Sequence, residues 1–350
     1  MRALWWEAND KKLSFVEDAV EPTVTKPDEV KVKVAFSGVC GSDFHFMGGE
    51  MGKFSTKPDG VVLGHEFSGT VVEVGTGVEN IKVGDEVSVD PNFCCENCVW
   101  HEEKKPQFCE RNVTVGVKQN GGWAEFCVVP NKLVYKLPET VSLDGGALAE
   151  PYSCVLRGWK LMDQLPMKTA KVLIQGAGII GSMFACLFHV KGYNNVTICE
   201  PHEGRRNTCS GLGFGYDVIH SQELDLLMAG KDADTHGFDV IFDCTGNCKA
   251  VQKTISLARR GAFISMFGCC PAGEKIEIEP FQIYWKELKI SGSFINPFCF
   301  EEAVGMLKIL NEKNLLDLNK IGVKIFELSD FEAAFASLKR GDAAKAMFKM

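Results

Sequence analysis

Between residues 172 and 181 the chain reads Val172-Leu173-Ile174-Gln175-Gly176-Ala177-Gly178-Ile179-Ile180-Gly181, an apolar strand running into a glycine-rich turn and an apolar helix. That order admits few folds. Gly176 permits a tight turn, Gly178 lets a backbone approach a pyrophosphate, and Gly181 lets the helix pack closely on the sheet. The helix start then offers free amides and a positive dipole end to the phosphates. Ile180 and the three glycines are therefore candidate contacts to a dinucleotide. Glu200, ending the run Val196-Thr197-Ile198-Cys199, stands where a carboxylate can accept hydrogen bonds from the adenosine ribose hydroxyls. Such a carboxylate repels a 2′-phosphate, so NAD is expected ahead of NADP. Arg205 and Arg206 follow closely and keep NADP open.

The texture around this turn divides the chain. Segments 171–175, 195–199, 238–244, 261–267 and 288–292 are apolar strands separated by helical stretches, which predicts a parallel sheet covered on both faces. The first 150 or so residues alternate instead, as in Val30-Lys31-Val32-Lys33-Val34 and Gly69-Thr70-Val71-Val72-Glu73-Val74-Gly75, and predict twisted, partly exposed strands. Helical spacing returns at 301–310 and 330–338, while the polar stretch 102–107 reads as an exposed loop. At 350 residues two domains are the default, and the fold class is α/β.

A second signal precedes the turn. Cys40, His65, Glu66 and Glu150 are residue types that hold a catalytic zinc, which needs a few protein ligands and one exchangeable position. For adjacent His65 and Glu66 to reach one ion, the backbone there must be irregular, because a regular strand sends neighbours to opposite faces.

Composition excludes other classes. A net charge of -8 with scattered Lys and Arg argues against a nucleic-acid partner. Fifteen cysteines, an odd number, with Cys186, Cys199 and Cys244 isolated in apolar segments, point to a reducing compartment. Charged residues in Met1-Arg2-Ala3-Leu4-Trp5-Trp6-Glu7 interrupt any signal-peptide pattern, so a cytoplasmic location is expected. The uncharged stretch 172–190 approaches a membrane span in length, but its glycines divide it into strand, turn and buried helix, so no membrane partner is expected.

At Cys40-Gly41-Ser42-Asp43-Phe44-His45, Gly64-His65-Glu66, Gly84-Asp85-Glu86-Val87, Glu150-Pro151, the glycine turn and Gly292-Ser293-Phe294 the chain resembles the zinc-containing medium-chain dehydrogenases. The likeness is to the polyol branch that includes sorbitol and arabinitol dehydrogenases. It implies a β-rich, GroES-like catalytic domain formed by 1–157 and 295–350, and a doubly wound Rossmann domain over 158–294. Zinc would lie in the cleft between them. Ser42 resembles the hydroxyl that passes the alcohol proton towards the cofactor ribose and solvent, Asp43 the orienter of His65, and His45 a wall of the substrate pocket. Many relatives hold a second, structural zinc through four cysteines; the corresponding positions here are Cys95, Cys98, His101 and Cys109. The resemblance also implies a homodimer or homotetramer.

The implied reaction is reversible, NAD-linked oxidation of a polyol or sugar alcohol to a ketone. Where sorbitol dehydrogenases commonly have Phe-Arg-Tyr, this chain has Phe294-Ile295-Asn296-Pro297, which counts against sorbitol. Arabinitol, another pentitol, a sugar-derived hydroxy acid and threonine stay open. Phe298 and Phe300 suggest an apolar rim. Two rivals of different class are a zinc-free, NADPH-dependent quinone or enone reductase and a non-catalytic, crystallin-like relative.

Overall fold

The computed structural model describes residues 1–49, 60–162 and 166–350. The alternation in the first part produces antiparallel sheet. Strand Glu29–Gly38 pairs with Phe67–Val74 on one side and with Phe126–Pro130 and Lys345–Lys349 along the other. Val30, Val32 and Val34 are all buried while Lys33 is exposed, as a period of two requires. The second lysine of the run, Lys31, is buried instead, and its ammonium pairs with Glu21 at 2.5 Å.

Lys345–Lys349, the last strand, enters this sheet between Glu29–Gly38 and Val323–Glu327. The C-terminal segment therefore completes the sheet begun by the N-terminal one. Helix Phe331–Arg340 lies where helical spacing predicted it. Helix Phe300–Glu312 does so too, and it packs with Ala149–Lys160 in the largest apolar core.

The middle of the chain forms a six-stranded parallel sheet in the order Asp217–Ile219, Val196–Cys199, Val172–Gln175, Phe238–Asp243, Ala258–Met266, Lys289–Gly292. The chain starts in the middle of the sheet, winds outward to one edge, and then crosses back to build the other half. That reversal between Val172–Gln175 and Phe238–Asp243 opens a crevice at the carboxyl ends of the two strands, where a dinucleotide binds in such sheets. Helix Ile179–Val190 covers one face and helices Ser221–Met228 and Cys248–Leu257 the other. Both faces being buried explains why these strands are near-continuous apolar runs. The five predicted strands are present within a few residues. Asp217–Ile219, a sixth, was not expected: three residues are too few to carry a pattern.

Two local expectations are corrected. In 102–107, residues Glu102 to Lys105 are exposed, but Gln107 is buried, within a 3-10 turn Pro106–Phe108. Phe298 is 72% exposed, whereas Phe300 is 2% exposed and packs against the ring of Tyr135, so Phe300 belongs to the core rather than to a cleft rim. As the first residue of its helix, Phe300 shares the inward face with Ala303, Val304 and Leu307.

Candidate active site

Three short pieces of irregular backbone bring the catalytic candidates together. Cys40 caps helix Gly41–Gly48, and its amide donates to Asp43 Oδ2 at 2.8 Å, which locks the turn that carries Ser42. His65 and Glu66 fall in a non-regular stretch between strands Val61–Val62 and Phe67–Val74. Gly64 makes that kink possible: its φ is +90°, and a Cβ there would sit 2.2 Å from the indole of Trp123. That indole donates to the carbonyl of Gly38 at 3.0 Å and fixes the approach to Cys40. The backbone thus has the irregularity that two adjacent ligands require.

The ligand atoms of Cys40, His65 and Glu66 all lie within 4.8 Å of one another. Thiolate, imidazole and carboxylate at that spacing suit zinc. His65 Nδ1 lies 3.3 Å from Asp43 Oδ1, and Asp43 is wholly buried. Burial disfavours a charged imidazole, but the Asp43 carboxylate and Cys40 outweigh it and hold the His65 pKa well above its ordinary value. A carboxylate against the second ring nitrogen is the usual way a metal-binding imidazole is oriented. On the other side of the ring, Ser42 Oγ lies 3.4 Å from His65 Nε2.

Glu66 is paired with the ammonium of Lys345, which also donates to the carbonyl of Val39 at 3.2 Å. Burial alone would lower the Lys345 pKa, but the Glu66 carboxylate holds it above the usual value. Lys345 did not figure among the sequence candidates. Its one signal there is a lysine placed directly before the apolar run Ala346-Met347-Phe348 of the terminal strand.

Glu150, in the first turn of helix Ala149–Lys160, is buried and faces the same cleft, outside the group of three. Burial, reinforced by the nearby Glu66 charge, pushes its pKa up to about 7, against the opposing charges of His65 and Lys345. The thiol of Cys154, one turn on, donates to Glu150 Oε1 at 3.4 Å. That neighbour too was missed.

The cleft has a volume of about 1060 Å³. Cys40, Ser42, His45 and His65 line it from the antiparallel unit, and Ile180, Thr245 and Phe267 from the parallel one. The metal candidates and the dinucleotide turn therefore open into one space.

In that turn each glycine has a distinct reason to be glycine. Gly176 has a φ of +95°, and a Cβ on Gly181 would lie 1.8 Å from the carbonyl oxygen of Gly176. Gly178, the cap of helix Ile179–Val190, has nothing within 4 Å of its Cβ position, an open cradle for a phosphate. Glu200 is 2% exposed. Its Oε2 accepts from the Ala177 amide and its Oε1 from the His202 amide, each at 2.9 Å. The carboxylate is thereby held against the turn, as a ribose acceptor must be. Arg206 donates to the carbonyls of Glu200 and Pro201, while Arg205 lies beside Gly341 with its Nε buried and unpartnered.

The second metal candidate differs from expectation. The sulfurs of Cys94, Cys95, Cys98 and Cys109 cluster within 4.8 Å of one another, with Cys95 and Cys109 at 3.2 Å. His101 is exposed on the short helix Val99–Glu102 and stands outside this group, so Cys94 takes the place predicted for His101. That helix begins directly after Cys98 and carries the imidazole outward. None of the fifteen cysteines is in a disulfide, and among the described residues no helix is long and apolar enough to cross a membrane.

The chain resembles known proteins over nearly its whole length. Residues 26–139 match the alcohol dehydrogenase GroES-like domain, and residues 179–312 match the zinc-binding dehydrogenase family. The chain is 30% identical to D-arabitol-phosphate dehydrogenase of Enterococcus avium, over 97% of this chain and 94% of that one. It is 29% identical to D-arabinitol dehydrogenase 1 of Uromyces fabae, over 100% and 97%. Among solved structures, a zinc-binding dehydrogenase of Sinorhizobium meliloti 1021 bound to NADP superposes with a TM-score of 0.87 at 29% identity, covering 100% of this chain and 99% of that one.

Proposed function

The chain belongs to the zinc-containing medium-chain dehydrogenases, and from that premise we propose that it oxidises a secondary alcohol of a polyol or sugar alcohol to a ketone, reversibly and with NAD. The observation that carries this reading is the joining of Cys40, His65 and Glu66 with the dinucleotide turn in one cleft. The relatives named for arabitol phosphate and arabinitol support the substrate class. Retention of all three ligand types counts against a zinc-free reductase and against a non-catalytic relative.

Zinc held by Cys40, His65 and Glu66 supplies Lewis acidity, which lets an alcohol lose its proton near neutral pH. NAD supplies the hydride acceptor. The residues do the rest. Ser42 Oγ, beside His65 Nε2, takes the alcohol proton and passes it towards solvent. Asp43 fixes the imidazole, and Lys345 balances the buried charge of Glu66. Glu150, whose pKa burial pushes up to about 7, is a carboxyl beside these residues that would give up or take a proton near neutral pH. Ile180 and Phe267 keep water from the nicotinamide side, and His45 lines the substrate side.

The Glu200 carboxylate, committed to the turn by two amides, favours NAD over NADP. We assign residues 1–157 and 295–350 to a catalytic unit and 158–294 to a coenzyme unit. Cys94, Cys95, Cys98 and Cys109 would hold a second zinc, which would stabilise the loop. The thiol content supports a reducing, cytoplasmic setting. Strand Lys289–Gly292, at the edge of the parallel sheet, supports pairing of chains into a dimer or tetramer.

An activity screen tests the reading. Zinc-loaded protein is offered NAD with pentitols, hexitols, sugar acids and threonine, and the product is identified. A ketose or its equivalent from a polyol is expected; oxidation of threonine alone sinks the substrate assignment.

A further inference from the structure

One wall of the cleft carries polar atoms that no step above uses. Gln107 is 6% exposed, and its Oε1 is buried with no hydrogen-bond partner. Asn112 Oδ1 is likewise buried and unpartnered. Both residues line the same cleft as Cys40, His65 and Glu150. Native proteins leave few buried acceptors without a donor, so two beside one cavity point to a ligand that brings donors. An amide oxygen accepts from a hydroxyl and has no attraction for a phosphate or a carboxylate.

The backbone that carries the two amides is pinned. Gln107 sits within the 3-10 turn Pro106–Phe108, which the Cys109 amide closes by donating to the carbonyl of Pro106 at 3.1 Å. The Asn112 amide donates to the carbonyl of Cys109 at 3.0 Å, folding the next residues back on the same cysteine. Arg111 straps this segment to the lobe through the carbonyl and Oδ1 of Asn97, at 3.2 and 2.8 Å. Lys118 donates to the carbonyl of Asn112 at 3.2 Å. The rings of Trp100 and Phe108, edge to face at 5.4 Å, line the cleft beside them. Unpartnered acceptors on a pinned backbone, next to aromatic surface, suit a ligand with both hydroxyls and C–H faces.

We propose that Gln107 and Asn112 form a hydroxyl-binding subsite, whose amide oxygens accept hydrogen bonds from hydroxyls of a polyol chain other than the one being oxidised. This rests on the polyol reading above and adds a recognition role to the four-cysteine lobe. Because Gln107 and Asn112 flank Cys109 in sequence, the lobe that would hold a metal also sets the position of the substrate's remote end.

The experiment compares a pentitol with 2-pentanol, which has the same carbon count and a secondary hydroxyl but no second hydroxyl. Wild type, Gln107→Leu, Gln107→Glu and Asn112→Leu are loaded with zinc, and zinc content and NADH binding establish that each is folded. For Gln107→Leu and Asn112→Leu, KM for the pentitol rises roughly 5- to 20-fold with kcat changed less than about twofold, while kcat/KM for 2-pentanol holds or improves. Gln107→Glu keeps an acceptor and retains most of the pentitol affinity. Losses of equal size on both alcohols, or an unchanged pentitol KM in both leucine variants, overturn the subsite. If Gln107→Leu does not fold, Asn112→Leu alone decides. A wild-type enzyme that oxidises no polyol overturns the polyol reading and the subsite with it, whereas polyol turnover with substrate-independent losses overturns the subsite alone.

Discussion

Lys345 and Glu66 form an ion pair almost wholly withdrawn from solvent, with side chains 2% and 1% exposed. It ties the last strand of the chain to the metal-ligand group. Removing one member of a buried pair leaves a charge without compensation, at a cost of about 3–5 kcal/mol. Lys345→Met is therefore expected to destabilise the metal-free protein by about that much, with a smaller loss once Glu66→Gln is added. Urea denaturation of the four proteins in the cycle measures the coupling. Strictly additive losses would show that the two side chains do not stabilise one another.

The lobe makes a separate claim about stoichiometry. With Cys94 among the four clustered sulfurs and His101 turned outward, Cys94→Ser should lower zinc content from two per chain towards one, while His101→Ala should leave it at two. Metal analysis of dialysed protein reads this directly. Zinc lost from the His101 variant and kept by the Cys94 variant would restore the imidazole to the ligand set.

At the dinucleotide turn, Glu200 is expected to select the cofactor. Replacing it by Ala removes a charged acceptor worth about 1.5–3 kcal/mol, so NADH affinity should fall roughly 10- to 150-fold and the preference over NADPH should shrink. Fluorescence titration with both cofactors gives the ratio. An unchanged ratio would assign the discrimination to other residues, with Arg205 the first to examine.

These outcomes also indicate what a sequence makes visible. The glycine turn and its acidic partner were legible because their spacing is local: Gly176, Gly178, Gly181 and Glu200 act within one strand-turn-helix-strand unit. Cys40, His65 and Glu66 were legible as residue types, and the irregular backbone they need is supplied by Gly64. Lys345 was hidden because its partner lies at the other end of the chain and only the sheet brings them together. The second group is less legible, because adjacent Cys94 and Cys95 leave the register open and the short helix Val99–Glu102 turns His101 outward. Gln107 lies in a stretch whose sequence looks like an exposed polar loop, because burial within a folded lobe leaves no periodic trace.

The loop after strand Glu86–Val89 carries a pH signature. Asp90 accepts from the Asn92 amide and from Asn296 Nδ2, each at 3.1 Å, yet burial pushes its pKa up to about 6 from 3.8. The folded state therefore holds this proton up to about pH 6, whereas the unfolded chain releases it near 3.8. Folded protein binds more protons in that window, so this carboxyl's contribution to stability falls as pH rises from about 4 to about 6 and is level above. Asp90→Asn should remove that component, seen as a flatter dependence of the urea midpoint on pH between those limits. An identical slope in both proteins would contradict it.

The central claim is that the Cys40, His65 and Glu66 group performs the chemistry while the glycine turn holds the cofactor. The most direct test measures NAD-linked polyol oxidation and NADH binding side by side for wild type and Cys40→Ala, both prepared in zinc. The account predicts that the variant binds NADH with unchanged affinity and has lost alcohol oxidation. Turnover that survives in Cys40→Ala at the wild-type rate would contradict it.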